Sequence, residues 1–252
     1  MRPGRSRRRS QLRWRIPQDE NCQAAIQAHV SDAGLLQNRP LAPAWHTGCV
    51  LTLQGVFSGL LIYLRIGSTA SRAGHIAAYS IVIAFEWALF ALCLWHPGIA
   101  IGGHVGRAPW RPRSLLRDVS AALFLSALLL LATPVIVHIL GPGGWDSTQG
   151  MVPKNGLESA TWIMMSITAG ICEETVFRGY LQAQVSGWTG LTGLGILVQA
   201  IAFSLSHAYQ GWKPMALIFV WGCAFGAVAW WRKGLRANMI AHAAIDTLSA
   251  FG

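Results

Sequence analysis

Charge is what this sequence has least of. Only 12% of its residues are charged, and 10 of 252 are Asp or Glu, whereas about a quarter of an ordinary soluble domain is charged. Such a chain cannot cover a surface that faces water on all sides, which excludes the common soluble classes. Cysteine is also sparse: Cys22, Cys49, Cys93, Cys172 and Cys223 are scattered, odd in number and without a CxxC pair, a pattern that argues against a disulfide framework. No HExxH occurs, so ordinary zincin chemistry has no support. Zinc-finger spacing and basic patches interleaved with aromatics are missing too, and nucleic acid is not an expected partner. The basic N-terminal run has no apolar stretch beside it, so it does not read as a cleavable signal peptide. No internal repeat is found.

What is abundant is apolar sequence. Hydrophobic residues make up 53% of the chain and the mean hydropathy is +0.40. Helices need about 20 apolar residues to cross a bilayer. Suitable runs lie at 46–64, 75–96, 117–140, 157–187, 190–208, 213–231 and 235–251, separated by polar or Gly/Pro-rich breaks such as "HPGIAIGGHVGRAPWRPR" and "GPGGWDSTQGMVPKNG". The expected fold is all-α, a polytopic transmembrane bundle of about seven helices. Its expected organisation is a basic polar tail over 1–44, with a short helix expected in "DENCQAAIQAHVSDAGLLQ", three transmembrane helices over 45–150, and a core of transmembrane helices over 151–252.

The formal charge of +10 comes mainly from Arg, with seven arginines in "MRPGRSRRRSQLRWR" alone. A basic tail beside anionic lipid explains this, so membrane lipid is the expected partner. With the N-terminus in the cytoplasm, that side also carries Arg107, Arg111, Arg113, Arg117, Arg232, Lys233 and Arg236. The opposite side carries Arg65, Arg72, Lys154 and Lys213. The bias predicts an integral protein of a bacterial-type cell membrane with a cytoplasmic N-terminus.

Against this background, "AGICEETVFRGYLQAQ" at 169–184 stands out. Ionised side chains inside a bilayer are costly and by default mark function. Glu174 and Arg178 are i,i+4, the spacing at which a carboxylate meets a guanidinium on a helix, which leaves Glu173 unpaired. Two later runs supply partners: His207, four residues after Phe203, and His242 with Asp246, again i,i+4. Straight antiparallel helices rising 1.5 Å per residue would bring Glu173 and His207 to similar depths. A buried carboxylate beside an imidazole can take a proton from water, and a second imidazole can stabilise the oxyanion formed on an amide carbonyl. The expected reaction is peptide hydrolysis within the bilayer or at its edge. Glu86, in "IAFEWALF", is read as an interhelical hydrogen bonder. Cys172 is set aside as a nucleophile because adjacent helical positions point about 100° apart. Gly55-x-x-x-Gly59 and Gly222-x-x-x-Gly226 are read as close-packing positions.

The order Glu173-Glu174-x-x-x-Arg178, Phe203-x-x-x-His207, His242-x-x-x-Asp246, with "FRGYLQ" after the first motif, resembles the CPBP family of intramembrane proteases. That family includes type II CAAX prenyl endopeptidases and Abi-type bacteriocin-processing and self-immunity proteins. The resemblance covers 157–251. It implies that Glu173 and His207 activate water, that His242 with Asp246 forms the oxyanion site, and that Glu174 and Arg178 hold the first helix. The implied substrate is a membrane-associated protein or peptide, prenylated in part of the family. Asp246 departs from the prenyl endopeptidase pattern, which has Asn there. Ionised Asp only accepts hydrogen bonds, so its expected role is to orient His242 or to back a metal ligand. Glu173, His207 and His242 are the ligand types of a His₂Glu catalytic zinc, but the favoured reading needs no cofactor. The alternative to an enzyme is a non-catalytic immunity or scaffold protein on the same bundle.

Overall fold

A computed structural model describes residues 40–66, 74–95, 112–145 and 150–251. The basic tail and its expected helix lie outside the described residues. Each of the seven hydrophobic runs is helical. The first three are α1 (Ala44–Tyr63), α2 (His75–Trp95) and α3 (Pro112–Leu140). The fourth run is a continuous rod made of α4 (Gly156–Glu173), a π-helical segment (Glu174–Leu181) and α5 (Gln182–Thr189). It is followed by α6 (Thr192–Ser206), α7 (Trp212–Arg232) and α8 (Arg236–Ser249). No strand occurs among the described residues.

Length separates these helices. Four of them, within α1, α2, α3 and α7, are long and apolar enough to cross a membrane. α6 has 15 residues and α8 has 14, about 21–23 Å at 1.5 Å per residue against a hydrocarbon core of about 30 Å. Neither is long enough to span it alone; α6 still exposes Leu194, Leu197, Ile201 and Leu205 on one face, whereas most of α8 is buried or half-buried. α3 is the opposite case: Phe124, Leu131 and Ile139 are each at least 70% exposed, as a face turned to lipid would be.

Local chemistry sets the helix ends. Asn155 caps α4 by accepting from the Glu158 N–H at 3.0 Å, and the Glu158 carboxylate in turn accepts from the Lys154 N–H, a reciprocal arrangement that occupies otherwise orphaned donors. The αL conformation of Gly190, φ +71°, closes α5 with a bond to Ser186 O, and glycine adopts it without a Cβ penalty. The run therefore turns back sharply into α6.

Three apolar clusters hold the bundle. One joins α1 and α2 to the π segment and α6 through Val50, Leu89, Phe177, Tyr180 and Phe203. Another packs Phe57, Tyr79, Trp162 and Met165 between α1, α2 and α4. The last joins α3, α7 and α8 through Leu125, Leu129, Phe225 and Ile245. Polar ties fasten the ends. Asp118 on α3 takes Arg232 and Arg236 from the α7–α8 corner, and Lys213 donates to the carbonyls of Gly141 and Pro142.

Close packing depends on small residues, though not all the expected ones. A Cβ on Gly222 would lie 3.1 Å from Ala200, and one on Gly226 would lie 2.6 Å from Gln199 Nε2. Gly55 and Gly59 meet nothing within 4 Å, so that pair is not a packing site among the described residues. A close approach not foreseen is Gly170, where a Cβ would come 2.7 Å from Met239 O. It lets α8 lie directly against α4, three residues before the carboxylates.

Candidate active site

The paired carboxylates sit where the rod changes winding. Glu173 ends α4 and Glu174 begins the π segment, whose far end is marked by the Gln182 N–H bonding to Phe177 O, five residues back. Straight α-helical geometry was expected; the structure inserts a wider turn instead. Every residue from Glu174 to Leu181 is buried, and wide turns of this kind recur at functional sites.

Glu174 is fully buried and completely engaged. Arg178 Nη1 donates to Oε1 at 3.0 Å, His242 Nδ1 donates to the same oxygen at 2.8 Å, and Asn238 Nδ2 donates to Oε2 at 3.1 Å. The expected Glu174–Arg178 pair is present, but it is half of a larger network. The guanidinium lies 4.2 Å above the Phe203 ring and 5.2 Å from the Phe225 centroid. This cation–π sandwich compensates for Nε and Nη2, which have no hydrogen-bond partner.

Phe203 is the hub of the site. Its ring is edge-on to Phe177 at 5.0 Å, to His207 at 4.9 Å and to His242 at 6.0 Å. His207 follows α6 directly, where the chain leaves the helix. Its Nδ1 lies 2.9 Å from Phe203 O. A carbonyl only accepts, so Nδ1 is a donor in this arrangement.

His242 departs from expectation in its orienting partner. Glu174, rather than Asp246, fixes the ring through Nδ1. Nε2 lies 3.5 Å from both Glu173 Oε2 and Asp246 Oδ2, and a ring carrying both protons matches this set of acceptors. The side chain of Asp246 is 37% exposed, so it sits at the rim.

Glu173 and His207 line a single cavity with Glu86, Cys172, Phe177, Ser206 and Tyr209, walled by Phe57, Leu61, Val82 and Phe85. The centre of a water-sized molecule has about 50 Å³ in which to move, against roughly 10–15 Å³ for one water. Glu173 Oε2 has no hydrogen-bond partner. Glu86, read from the sequence as an interhelical hydrogen bonder, reaches from α2 to Glu173 on α4 and also faces this cavity. Cys172 borders it as well.

Among the described residues no group of three or more His, Cys, Asp or Glu side chains is placed to hold a metal ion. His242 turns Nδ1 to Glu174 and leaves Nε2 toward Glu173 and Asp246.

Sequence reasoning missed Asn238 and Tyr209, and it did not place Glu86 at the cavity. Asn238 had a signal: it continues the series Asn238, His242, Asp246 at intervals of four on one face of α8. Tyr209 lies two residues after His207 in a 3₁₀ turn, Ala208–Gln210, a position that helical periodicity does not reach. Residues 155–248 match the family model of type II CAAX prenyl endopeptidase Rce1-like proteins. No curated protein and no solved structure matches the chain. The matched stretch contains all three motifs, in agreement with the CPBP resemblance, and the stretch 155–248 is Rce1-like.

Proposed function

We propose that this chain, Rce1-like over 155–248, is an intramembrane endopeptidase that cleaves a membrane-associated peptide with a water activated by Glu173 and His207. The observation that carries the reading is the cavity they share, which has room for water beside a Glu173 Oε2 without a hydrogen-bond partner. The water oxygen bonds to the scissile carbonyl carbon as its proton passes to Glu173. Negative charge then develops on the carbonyl oxygen, and His242, held in place by Glu174, is the donor nearest to Glu173. When the C–N bond breaks, the proton moves through His207 to the leaving amine. The products are a carboxylic acid and an amine.

A farnesylated fluorogenic peptide with a CAAX-type C-terminus, presented to the full chain in nanodiscs, is the appropriate first probe. Wild-type protein should cleave it, and Glu173→Gln should lower the rate by about 10³-fold, within the usual range for loss of a general base. Equal rates for the two proteins would overturn the assignment. Absence of wild-type cleavage would favour the non-catalytic scaffold reading.

Orientation bears on the substrate. The charge bias puts the His207 end of the cavity, next to the Gln210 turn, outside the cytoplasm. Gln210→Cys in a cysteine-free background should then react with an impermeant thiol reagent in intact cells. Labelling only after lysis would reverse the topology and favour a prenylated cytoplasmic substrate.

A further inference from the structure

We propose that Glu86 is a second carboxyl of the catalytic site, holding the attacking water together with Glu173. The inference rests on the endopeptidase reading and adds a residue from α2, which lies outside the stretch matching the family model. Four observations converge on it. Glu86 is 93% buried, at 7% exposure, in the middle of a helix that contains no Lys or Arg. Its Oε2 accepts no hydrogen bond from a donor side chain, and its carboxyl lies within hydrogen-bonding reach of Glu173. It lines the same cavity as Glu173 and His207. The charged and titratable groups that reach it are Glu173, His242, Asp246, Cys172 and Tyr209, all of them at the site.

A buried acceptor with no donor lowers stability, because it has lost its hydration and gained nothing in return. Two carboxyls within reach of each other, Glu86 and Glu173, border one cavity with room for water, and His242 Nε2, 3.5 Å from Glu173 Oε2, leaves both short of donors. A water molecule has two O–H donors, which meets this need. With one O–H directed to Glu173 and the other to Glu86, both lone pairs on the water oxygen remain free, and one can be aimed at a carbonyl carbon. The transferred proton goes to Glu173, as above; Glu86 keeps its hydrogen bond to the same oxygen through the attack. In this arrangement Glu86 touches a reacting atom, and the pair orients the water in the way that a single carboxylate cannot.

The test compares Glu86→Gln, Glu86→Leu and Glu173→Gln in the full chain in nanodiscs, with the farnesylated fluorogenic peptide as substrate and thermal unfolding measured in parallel. Glu86→Leu should lower kcat by about 10²-fold and leave KM within about twofold, with Glu86→Gln between the two because it retains one acceptor oxygen. The unfolding midpoint of Glu86→Leu should match or exceed that of the wild type, since an unpartnered acceptor has been removed. A packing role predicts the reverse, a lower midpoint with kcat unchanged, and that result would overturn the inference. Loss of activity in Glu173→Gln alone, with Glu86→Leu fully active, would remove Glu86 and leave the endopeptidase reading intact. If wild-type protein cleaves nothing, the endopeptidase reading fails separately, and a fall in the midpoint of Glu86→Leu would still identify a packing residue.

Discussion

Around Glu174 every acceptor is occupied, while around Glu173, one residue earlier on the same rod, an oxygen is left open to a cavity. The first region is a closed network: three donors from Arg178, His242 and Asn238, with the guanidinium clamped between Phe203 and Phe225. The second is a set of unmatched groups, Glu173, Glu86 and His207, around a space for water. A buried carboxylate with both oxygens engaged is held rigidly, whereas one with an oxygen unmatched is high in energy. The comparison teaches a division of labour between adjacent residues. Closure around Glu174 fixes the ring of His242 and the start of the wide turn, and so fixes where Glu173 points.

Substitutions in the two regions should therefore separate stability from activity. The largest effect is expected from Arg178→Ala, which leaves the Glu174 carboxylate buried with its main counter-charge gone. Loss of one partner of a buried pair costs about 3–5 kcal/mol, to be read from unfolding in detergent. Glu174→Gln combined with Arg178→Gln should be milder than Arg178→Ala, since neither charge is then stranded. A double variant as damaged as the sum of the singles would show that the closed network is not coupled.

Next comes His207→Ala, on the open side. It should slow cleavage by roughly 10²–10⁴-fold with unfolding near that of the wild type. Parallel losses of activity and stability would erase the distinction between the regions. Asn238→Ala belongs to the closed side and should cost about 1–3 kcal/mol, because Glu174 Oε2 and Phe225 O each lose a donor. Activity of the folded fraction should persist. The smallest effect is expected from chelation: EDTA or phenanthroline should leave the rate unchanged. A rate that falls with chelator and returns with zinc would restore the metal reading of Glu173, His207 and His242.

The sequence displayed these two regions unequally. Apolar runs exposed all seven helices, because lipid imposes a length and a composition that can be counted. Spacing by four exposed Glu174 with Arg178, and His242 with Asp246, because a helix face repeats at that interval. Contacts between helices left weaker traces. Glu86 stands alone in its run, and nothing in "IAFEWALF" says which neighbour its face meets. The hold of Glu174 on His242 joins residues 68 positions apart, so the first motif seemed self-contained. The winding of 174–181 has no periodic signature, since its hydrophobic pattern is interrupted by the charged residues themselves.

That wide turn also ties the site to chain length. A segment of this kind is, in effect, an α-helix that has absorbed one additional residue, and each residue of an α-helix turns the chain by about 100°. Removing a single residue between 175 and 181 would let the rod relax to uniform winding, and everything beyond it would rotate. Gln182, which reaches Gly226 O, and Gln184, which holds the backbone at Leu41 and Ala42, would swing away from their partners, or else Glu174 would leave His242. The reading frame of the helix is thus a component of the site, and a deletion that touches no polar side chain is enough to dismantle it.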